Sequence, residues 1–206
     1  MKIHLYRVVV SAFLLLLSHT VATAGYIRTT FDTDLEEWRS NTPHEISWSS
    51  EGGNPGGYLK FTDGSGNESD ILVPLSYLGD WSEYDGETIG FDHKVFDQGQ
   101  NIAEYFKYRI EMSGPEGIAI WEGAEVTGET DWITIRLPLT ESSWNVKEGN
   151  WNFILSDVTD FKIGIEMFNN AYGLKEICGI DNVVLVPEPC TLILLGLGSL
   201  FVFKKR

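Results

Sequence analysis

The sequence predicts an all-β protein, an antiparallel sandwich or barrel, enclosed between two processing segments. Short alternating or β-branched segments recur along the chain, and clusters of Gly, Pro, Asn and Asp separate them. Helical periodicity is scarce, and the one predicted helical turn spans 152–158. The predicted strands are 26–31, 45–49, 58–62, 70–74, 88–96, 105–113, 117–121, 132–137, 161–168 and 179–186.

The segment 88–96 shows how this prediction is made. Its odd positions favour apolar side chains until the end, as in Ile89, Phe91 and Val95. We therefore expect this strand to have one face in contact with solvent. The glycine-rich stretches 51–57 and 63–67 are predicted to be loops, because glycine supplies the positive φ angles that tight turns need.

The N-terminus has the three parts of a secretory signal peptide, predicted here to span residues 1–24. Lys2 and Arg7 precede an uncharged apolar run over 8–17, and the small-residue triplet 22–24 follows it. Cleavage is expected between Ala24 and Gly25. The alternative is an uncleaved anchor, but the apolar run falls short of the ~20 residues that span a bilayer.

The remaining residues 25–186 are expected to form a single acidic domain. They contain 10 basic and 29 acidic residues, so their formal charge is 10 − 29 = −19, against −15 for the whole chain. Such a charge repels nucleic acid but is compatible with divalent cations, cationic surfaces or neutral sugars. Solubility outside the cell would also explain it.

Cysteine usage excludes a disulfide framework for this domain. Only Cys178 and Cys190 are present, and Cys190 belongs to the C-terminal tail. Cys178 lies in an apolar strand and is predicted to be a lone buried thiol.

The C-terminal residues 187–206 resemble the PEP-CTERM sorting signal of Gram-negative bacteria. Pro187, Glu188 and Pro189 are followed by an apolar stretch over 191–203 and by three basic residues, whereas Cys190 replaces the commoner alanine. The resemblance implies a precursor held in the inner membrane by 191–203. An exosortase-type enzyme would then cut it and pass it to the cell surface or extracellular matrix.

The physical properties of this tail agree with a temporary anchor. Its apolar stretch is expected to form a short helix, and 13 residues are fewer than a comfortable span. The terminal cations place Arg206 in the cytoplasm by the positive-inside rule. A buried C-terminal core segment is the alternative, but the apolar residues 192–195 show no alternation.

The body resembles the laminin B (laminin IV type A) domain, which is related to galactose-binding-like and carbohydrate-binding modules. The resemblance implies an antiparallel jelly-roll β-sandwich over 25–186. The matching pieces occur in order: Phe31-Asp32, Trp38, Trp48, the stretch 52–61, the stretch 78–86, Trp132, the stretch 137–139, Trp144 and the stretch 179–185.

The same resemblance implies a structural calcium ion. Related modules commonly bring the last strand and the first together around Ca²⁺, which would join Asp181 to Asp32 or Asp34. Calcium takes several oxygen ligands from carboxylates and backbone carbonyls. The alternative is that Asp181 caps a turn. The acidic loop 63–70 lacks the spacing of an EF-hand and is predicted to be a solvated turn.

Tryptophan is the candidate sugar-binding residue type, because flat indole faces can stack on sugar rings. Seven are present, and Trp48, Trp81 and Trp121 lie beside predicted loops, which makes these three the candidates for exposed, sugar-binding residues. The alternative is that they supply core area, as tryptophan usually does.

Catalysis finds little support in the sequence. A nucleophile elbow, a His-Glu-x-x-His pair and a phosphate loop are all missing, and 29 acids would give a glycosidase-like pair by chance. The resemblance to carbohydrate-binding modules, together with the sorting tail, implies a non-enzymatic surface or matrix protein that binds extracellular polysaccharide. A structural adhesion protein making protein contacts is the alternative, and a hidden glycoside hydrolase the third hypothesis.

Overall fold

The structure is a computed structural model that describes residues 26–42, 45–63, 70–96, 107–123, 130–166 and 176–186. The predicted signal peptide, the sorting tail and most of the loop 63–70 lie outside these residues. Within the described ranges, no helix is both long enough and apolar enough to cross a membrane.

Most of the described residues lie in strands. These residues include a single short α-helix, α1 (Trp151–Ser156). Single 3₁₀ turns occur at Leu75–Tyr77, Ser82–Tyr84 and Glu141–Ser143. The strands are β1 (Ile27–Thr29), β2 (Arg39–Ser40), β3 (Ile46–Gly53), β4 (Gly56–Asp63), β5 (Asp70–Leu72), β6 (Thr88–Val95), β7 (Lys107–Gly114), β8 (Gly117–Glu122), β9 (Ile133–Pro138), β10 (Asn145–Gly149), β11 (Asp160–Glu166) and β12 (Glu176–Val186).

These strands form two antiparallel sheets. The first has the order β3-β4-β12-β6-β9, and β1 also pairs with β12. The second has the order β10-β8-β7-β11-β5-β2. The central strand β12 pairs with β4 over Glu176–Ile180 and with β1 over Val183–Leu185, while β6 lies along its other edge.

The core lies between the two sheets. Leu59, Ile180 and Phe91 of the first sheet are buried, as are Ile110 and Ile163 of the second. Side chains alternate between the two faces of a strand, so each sheet contributes one apolar face to this layer. The predicted antiparallel β-sandwich is confirmed, and Cys178 is a buried thiol, as predicted.

The strands of the structure differ from the predicted ones in two respects. The strands β2 and β10 were not predicted, and the predicted loop 51–57 is mostly strand, because β3 and β4 continue to the turn at Asn54 and Pro55. The predicted helical turn becomes α1, which begins after Asn150. The Asn150 side chain caps this helix by accepting a hydrogen bond from the Asn152 backbone N–H at 3.0 Å.

The expectation of a solvent-facing side for β6 is wrong over its middle. Phe91 and His93 point into the core, yet the intervening Asp92 is only 7 % exposed. The turn between β3 and β4 folds over the outer face of the sheet at this point. Asn54 in that turn donates from Nδ2 to the Asp92 carboxylate at 3.0 Å, so the turn covers a side chain that alternation places on the outside.

A β-bulge in β12 shapes the same region. The register against β6 shifts between Asp181 and Val184, and Asn182 has a φ of 48°. Ile180 and Val183 are both fully buried, although strict alternation would put residues three apart on opposite faces. The extra residue therefore lets Asp181 and Asn182 point out of the core together.

Candidate functional site

The bulge and the β3–β4 turn build a polar cluster on the outer face of the first sheet, the acid–amide cluster: Asn54, Asp92, Thr134, Asp181 and Asn182. Its two carboxylates are buried, whereas Asn54 and Thr134 are exposed. Asp92 and Asp181 are directly opposite each other in the β6–β12 register. Asp181 accepts from the backbone N–H groups of Asn54 at 2.6 Å and Asn182 at 2.7 Å. Asp92 accepts from the Thr134 hydroxyl at 2.7 Å and from the Asn182 amide at 3.0 Å.

The electrostatics of the cluster follow from two carboxylates that are buried side by side. Burial raises the pKa of Asp181 to about 6, and the charges of Asp92 and Asp32 add to this effect. Arg28 donates to Asn182 Oδ1 at 2.9 Å and so contacts the rim of the cluster, not its carboxylates. Hydrogen bonds to amides, backbone N–H groups and a hydroxyl therefore stabilise the two acids.

The structure separates Asp34 from the other two residues predicted to bind calcium, Asp32 and Asp181. Asp32 adds to the negative field at Asp181, and its Oδ2 accepts from the Thr30 hydroxyl at 2.7 Å. Asp34 instead accepts from the Glu36 backbone N–H at 2.7 Å, in the loop before β2. The described ranges hold no group of three or more His, Cys, Asp or Glu side chains that could bind a metal ion.

Oxygen donors of the kind that Ca²⁺ prefers are nevertheless present around Asp181. A Cβ atom at Gly56 would lie 2.8 Å from Asp32 Oδ1, and one at Gly53 would lie 2.9 Å from Asp181 Oδ2, so both glycines admit the carboxylates closely. A calcium ion held by Asp32, Asp181 and neighbouring carbonyls stays a proposal. Calcium should then raise the melting temperature of chelator-treated protein, and an unchanged temperature would overturn the proposal.

The three candidate sugar-binding tryptophans lie in different environments. Trp48 on β3 is 39 % exposed. Trp81 is only 1 % exposed, so its assignment as a sugar-binding residue is wrong; the 3₁₀ turn that follows it folds the ring into the core, where Nε1 donates to the Tyr77 carbonyl at 2.7 Å. Trp121 on β8 is partly buried and packs against the core.

Trp48 borders a surface groove, the Trp48 groove, at the edge of the sandwich. The groove has a volume of about 500 Å³ and is lined by Asp34, Leu35, Glu36, Glu37 and Trp48. The groove is open to solvent over most of its surface, so it is a shallow site and not an enclosed cavity. The groove therefore combines an aromatic wall with three carboxylates.

The loop between β1 and β2 holds the acidic wall of this groove in place. Glu36 and Glu37 have φ angles of 46° and 66°, which is unusual for residues other than glycine. Glu36 Oε1 accepts from the backbone N–H groups of Phe31 at 2.7 Å and Thr30 at 3.2 Å. The Glu36 carboxylate thus fixes the loop to the end of β1 and leaves Glu37 exposed.

A hydrogen bond fixes the aromatic wall as well. Trp48 Nε1 donates to the Phe31 carbonyl at 2.7 Å. Gly57 on β4 permits this contact, because a Cβ atom there would lie 2.8 Å from Trp48 Nε1. The indole is held by its polar edge, which leaves its orientation set before any ligand arrives.

Sequence reasoning did not identify Asn54, Asp92, Thr134 or the groove acids Glu36 and Glu37. Asp92 gave one usable signal, a carboxylate next to Phe91 within a strand whose other odd-numbered positions include Ile89 and Val95. Its burial depends on the β3–β4 turn, which is 38 residues away in sequence, so no local pattern could predict it.

Comparison with solved structures places this fold among carbohydrate-binding modules. A family 30 carbohydrate-binding module gives a TM-score of 0.54 at 16% identity and covers 81% of this chain and 90% of its own. The L4b domain of human laminin alpha-2 gives 0.53 at 10% identity, covering 79% and 96%. The family 11 module from Clostridium thermocellum, in complex with a β-1,3-1,4-mixed-linked tetrasaccharide, gives 0.52 at 19% identity, covering 80% and 97%.

These likenesses establish the fold alone, a β-sandwich of two antiparallel sheets. The identities are too low for a ligand to be transferred from any of these proteins. No protein-family profile and no curated protein matches the chain.

Proposed function

We propose that this protein is an exported, non-enzymatic β-sandwich that binds polysaccharide in the Trp48 groove. The observation that supports this function most directly is the half-exposed, hydrogen-bonded indole of Trp48 beside the carboxylates of Asp34, Glu36 and Glu37. A sugar ring presents an apolar C–H face that can pack on an indole. Its hydroxyl groups can donate to carboxylates, which accept strongly.

The fold supports the same proposal. The β-sandwich is shared with carbohydrate-binding modules, and one of these is known in complex with a mixed-linked tetrasaccharide. Among the large, exposed apolar side chains of the described residues, which also include Tyr26, Leu75 and Phe153, Trp48 is the one that lines the groove. This placement favours a glycan over a protein partner.

The hydrolase alternative required a deep cleft with two carboxylates of perturbed acidity. Asp92 and Asp181 are two facing carboxylates, and the pKa of Asp181 is raised to about 6. However, Asp181 is fully buried, and both of its oxygens accept backbone N–H groups beneath the β3–β4 turn. A substrate cannot reach this pair without opening the turn, so we assign the pair a structural role.

Replacing Trp48 by Ala is the test of the proposed function. We expect glycan affinity to fall at least about tenfold, which is about 1.4 kcal/mol, because the stacking surface is lost. A glycan array selects the ligand, and isothermal titration of wild type and variant then gives the affinities. Phe153→Ala serves as the control, since Phe153 is an exposed aromatic residue on α1 that does not line the groove. Equal binding by wild type and Trp48→Ala would contradict the proposal.

The two proposed cleavage sites lie outside the first and last described strands of the sandwich. The predicted signal-peptide cleavage at Ala24 and Gly25 lies just before β1, and the Pro187-Glu188-Pro189 motif begins where β12 ends at Val186. Cleavage at both positions would leave every described strand intact. Intact-mass analysis of protein from the native cell surface should show both ends removed, and a full-length mass would contradict processing.

A further inference from the structure

We infer that the ligand of the Trp48 groove is a cationic glycan, a polysaccharide of amino sugars with free ammonium groups. This inference rests on the proposed function and narrows it to one class of sugar. Asp34, Glu36 and Glu37 supply three carboxylates to the groove, and none of its lining residues is basic. A neutral glycan would leave this local charge unmatched, and a polysaccharide of uronic acids or sulfate esters would be repelled by it.

The three carboxylates are not equally available. Asp34 Oδ1 and Glu36 Oε1 each accept backbone N–H groups of the loop, so these two acids are partly occupied by the fold. Glu37 is exposed, and its side chain makes no hydrogen bond or ion pair with the part of the chain that the structure describes. Glu37 is therefore the acid best placed to pair with an ammonium group from a ligand.

The fixed indole of Trp48 would position a sugar ring next to these carboxylates. The indole is held by its hydrogen bond to the Phe31 carbonyl, and the groove places it opposite the acidic loop. An amino sugar that packs its ring on the indole would bring its ammonium group to the carboxylates. Ammonium groups also interact favourably with aromatic faces, so the two walls of the groove act on the same ligand charge. Selectivity thus arises from repulsion of anionic glycans as well as attraction of cationic ones.

The experiment compares three tetrasaccharides of equal length by isothermal titration with the purified protein. These are a β-1,4-linked glucosamine tetramer, its N-acetylated form and cellotetraose, all at mildly acidic pH where the amines are protonated. We expect the glucosamine tetramer to bind at least about tenfold more tightly than the other two. Raising the salt concentration should reduce this preference, because the charges are near the surface.

A charge-matched pair of variants separates the groove from the general negative field. Glu37→Gln should remove most of the preference for the glucosamine tetramer over cellotetraose, because Gln keeps an oxygen that accepts from sugar hydroxyl groups but loses the negative charge. Glu148→Gln removes one negative charge from an exposed position on β10. Because β10 and β2 are at opposite edges of the second sheet, this variant should keep the preference for the glucosamine tetramer. Equal losses in the two variants would show non-specific attraction and would overturn the inference.

The outcomes also separate this inference from the proposed function. Trp48-dependent binding of all three tetrasaccharides with equal affinity would overturn the cationic-ligand inference and leave polysaccharide binding standing. Failure of every tetrasaccharide and of the glycan array to bind would overturn the proposed function, and the inference with it.

Discussion

Replacing Trp81 by Ala is expected to destabilise the sandwich by about 3–5 kcal/mol, a large part of the ~5–15 kcal/mol that holds a typical domain folded. The Trp81 ring is buried against Phe161, with ring centroids 5.3 Å apart, and against Tyr84 at 6.3 Å. The substitution removes these contacts and also the donor to the Tyr77 carbonyl. Urea unfolding followed by circular dichroism measures the loss.

Trp48→Ala is the matched comparison, since it deletes the same side chain at a half-exposed position. We expect this variant to lose only about 1–2 kcal/mol, mainly from its hydrogen bond to the Phe31 carbonyl. Similar unfolding midpoints for the two variants would mean that Trp81 is not part of the core. The pair therefore distinguishes a structural tryptophan from a binding one.

The contrast between Trp48 and Trp81 shows what local sequence patterns cannot predict. Both lie beside glycine-containing segments in the sequence, and their neighbours in the chain are similarly polar. Trp48 is exposed because β3 is an edge strand, whereas Trp81 is buried because its backbone bonds to α1 through the Leu155 carbonyl. The difference depends on contacts between distant segments, which local patterns do not contain.

The same reasoning explains which strands could be predicted. β6 and β12 were found because their apolar residues alternate or cluster, as burial in a central strand requires. β10 was missed because its sequence Asn-Val-Lys-Glu-Gly is polar and mostly exposed at a sheet edge. β2 has only two residues, too few for any periodicity. Edge strands form through pairing with a neighbour, so their own composition gives a weak signal.

The residues predicted to bind calcium also show that sequence alone does not tell which site a side chain joins. Asp181 was identified from the last strand, and the structure buries it in the acid–amide cluster at a β-bulge. Asp34 was chosen for its closeness in sequence to Asp32, but it belongs to the loop that lines the Trp48 groove. Two residues of separation are enough to send their side chains to different sites.

Acidification is expected to destabilise the sandwich through His93. This side chain is fully buried in the first sheet, and its Nδ1 lies 2.8 Å from the Tyr108 hydroxyl oxygen. Burial lowers the pKa of His93 to about 3, against about 6.5 in the unfolded chain. Between these two values the unfolded state binds a proton that the folded state does not. Stability is therefore complete above pH 6.5 and falls as the pH drops towards 3, by on the order of 3 kcal/mol at pH 4.

His93→Asn isolates this contribution from those of the many carboxylates. The Asn amide can donate or accept, so it can keep the hydrogen bond to Tyr108 whichever way the proton lies. The variant will be less stable at pH 7, because it is smaller than the ring it replaces. Its stability should nevertheless fall less steeply than that of the wild type between pH 7 and pH 4.

The wild type alone would understate the effect of His93, because Asp181 acts in the opposite direction. The pKa of Asp181 is raised by burial to about 6, so this carboxyl takes up its proton in the folded state first and stabilises the sandwich on acidification. The Asp181 contribution is common to wild type and His93→Asn, so it cancels when their unfolding free energies are subtracted at each pH. The unfolding free energy of the wild type minus that of His93→Asn should therefore fall by on the order of 3 kcal/mol from pH 7 to pH 4. A constant difference would mean that His93 is accessible to protons in the folded protein, and its burial between the two sheets would then have to be revised.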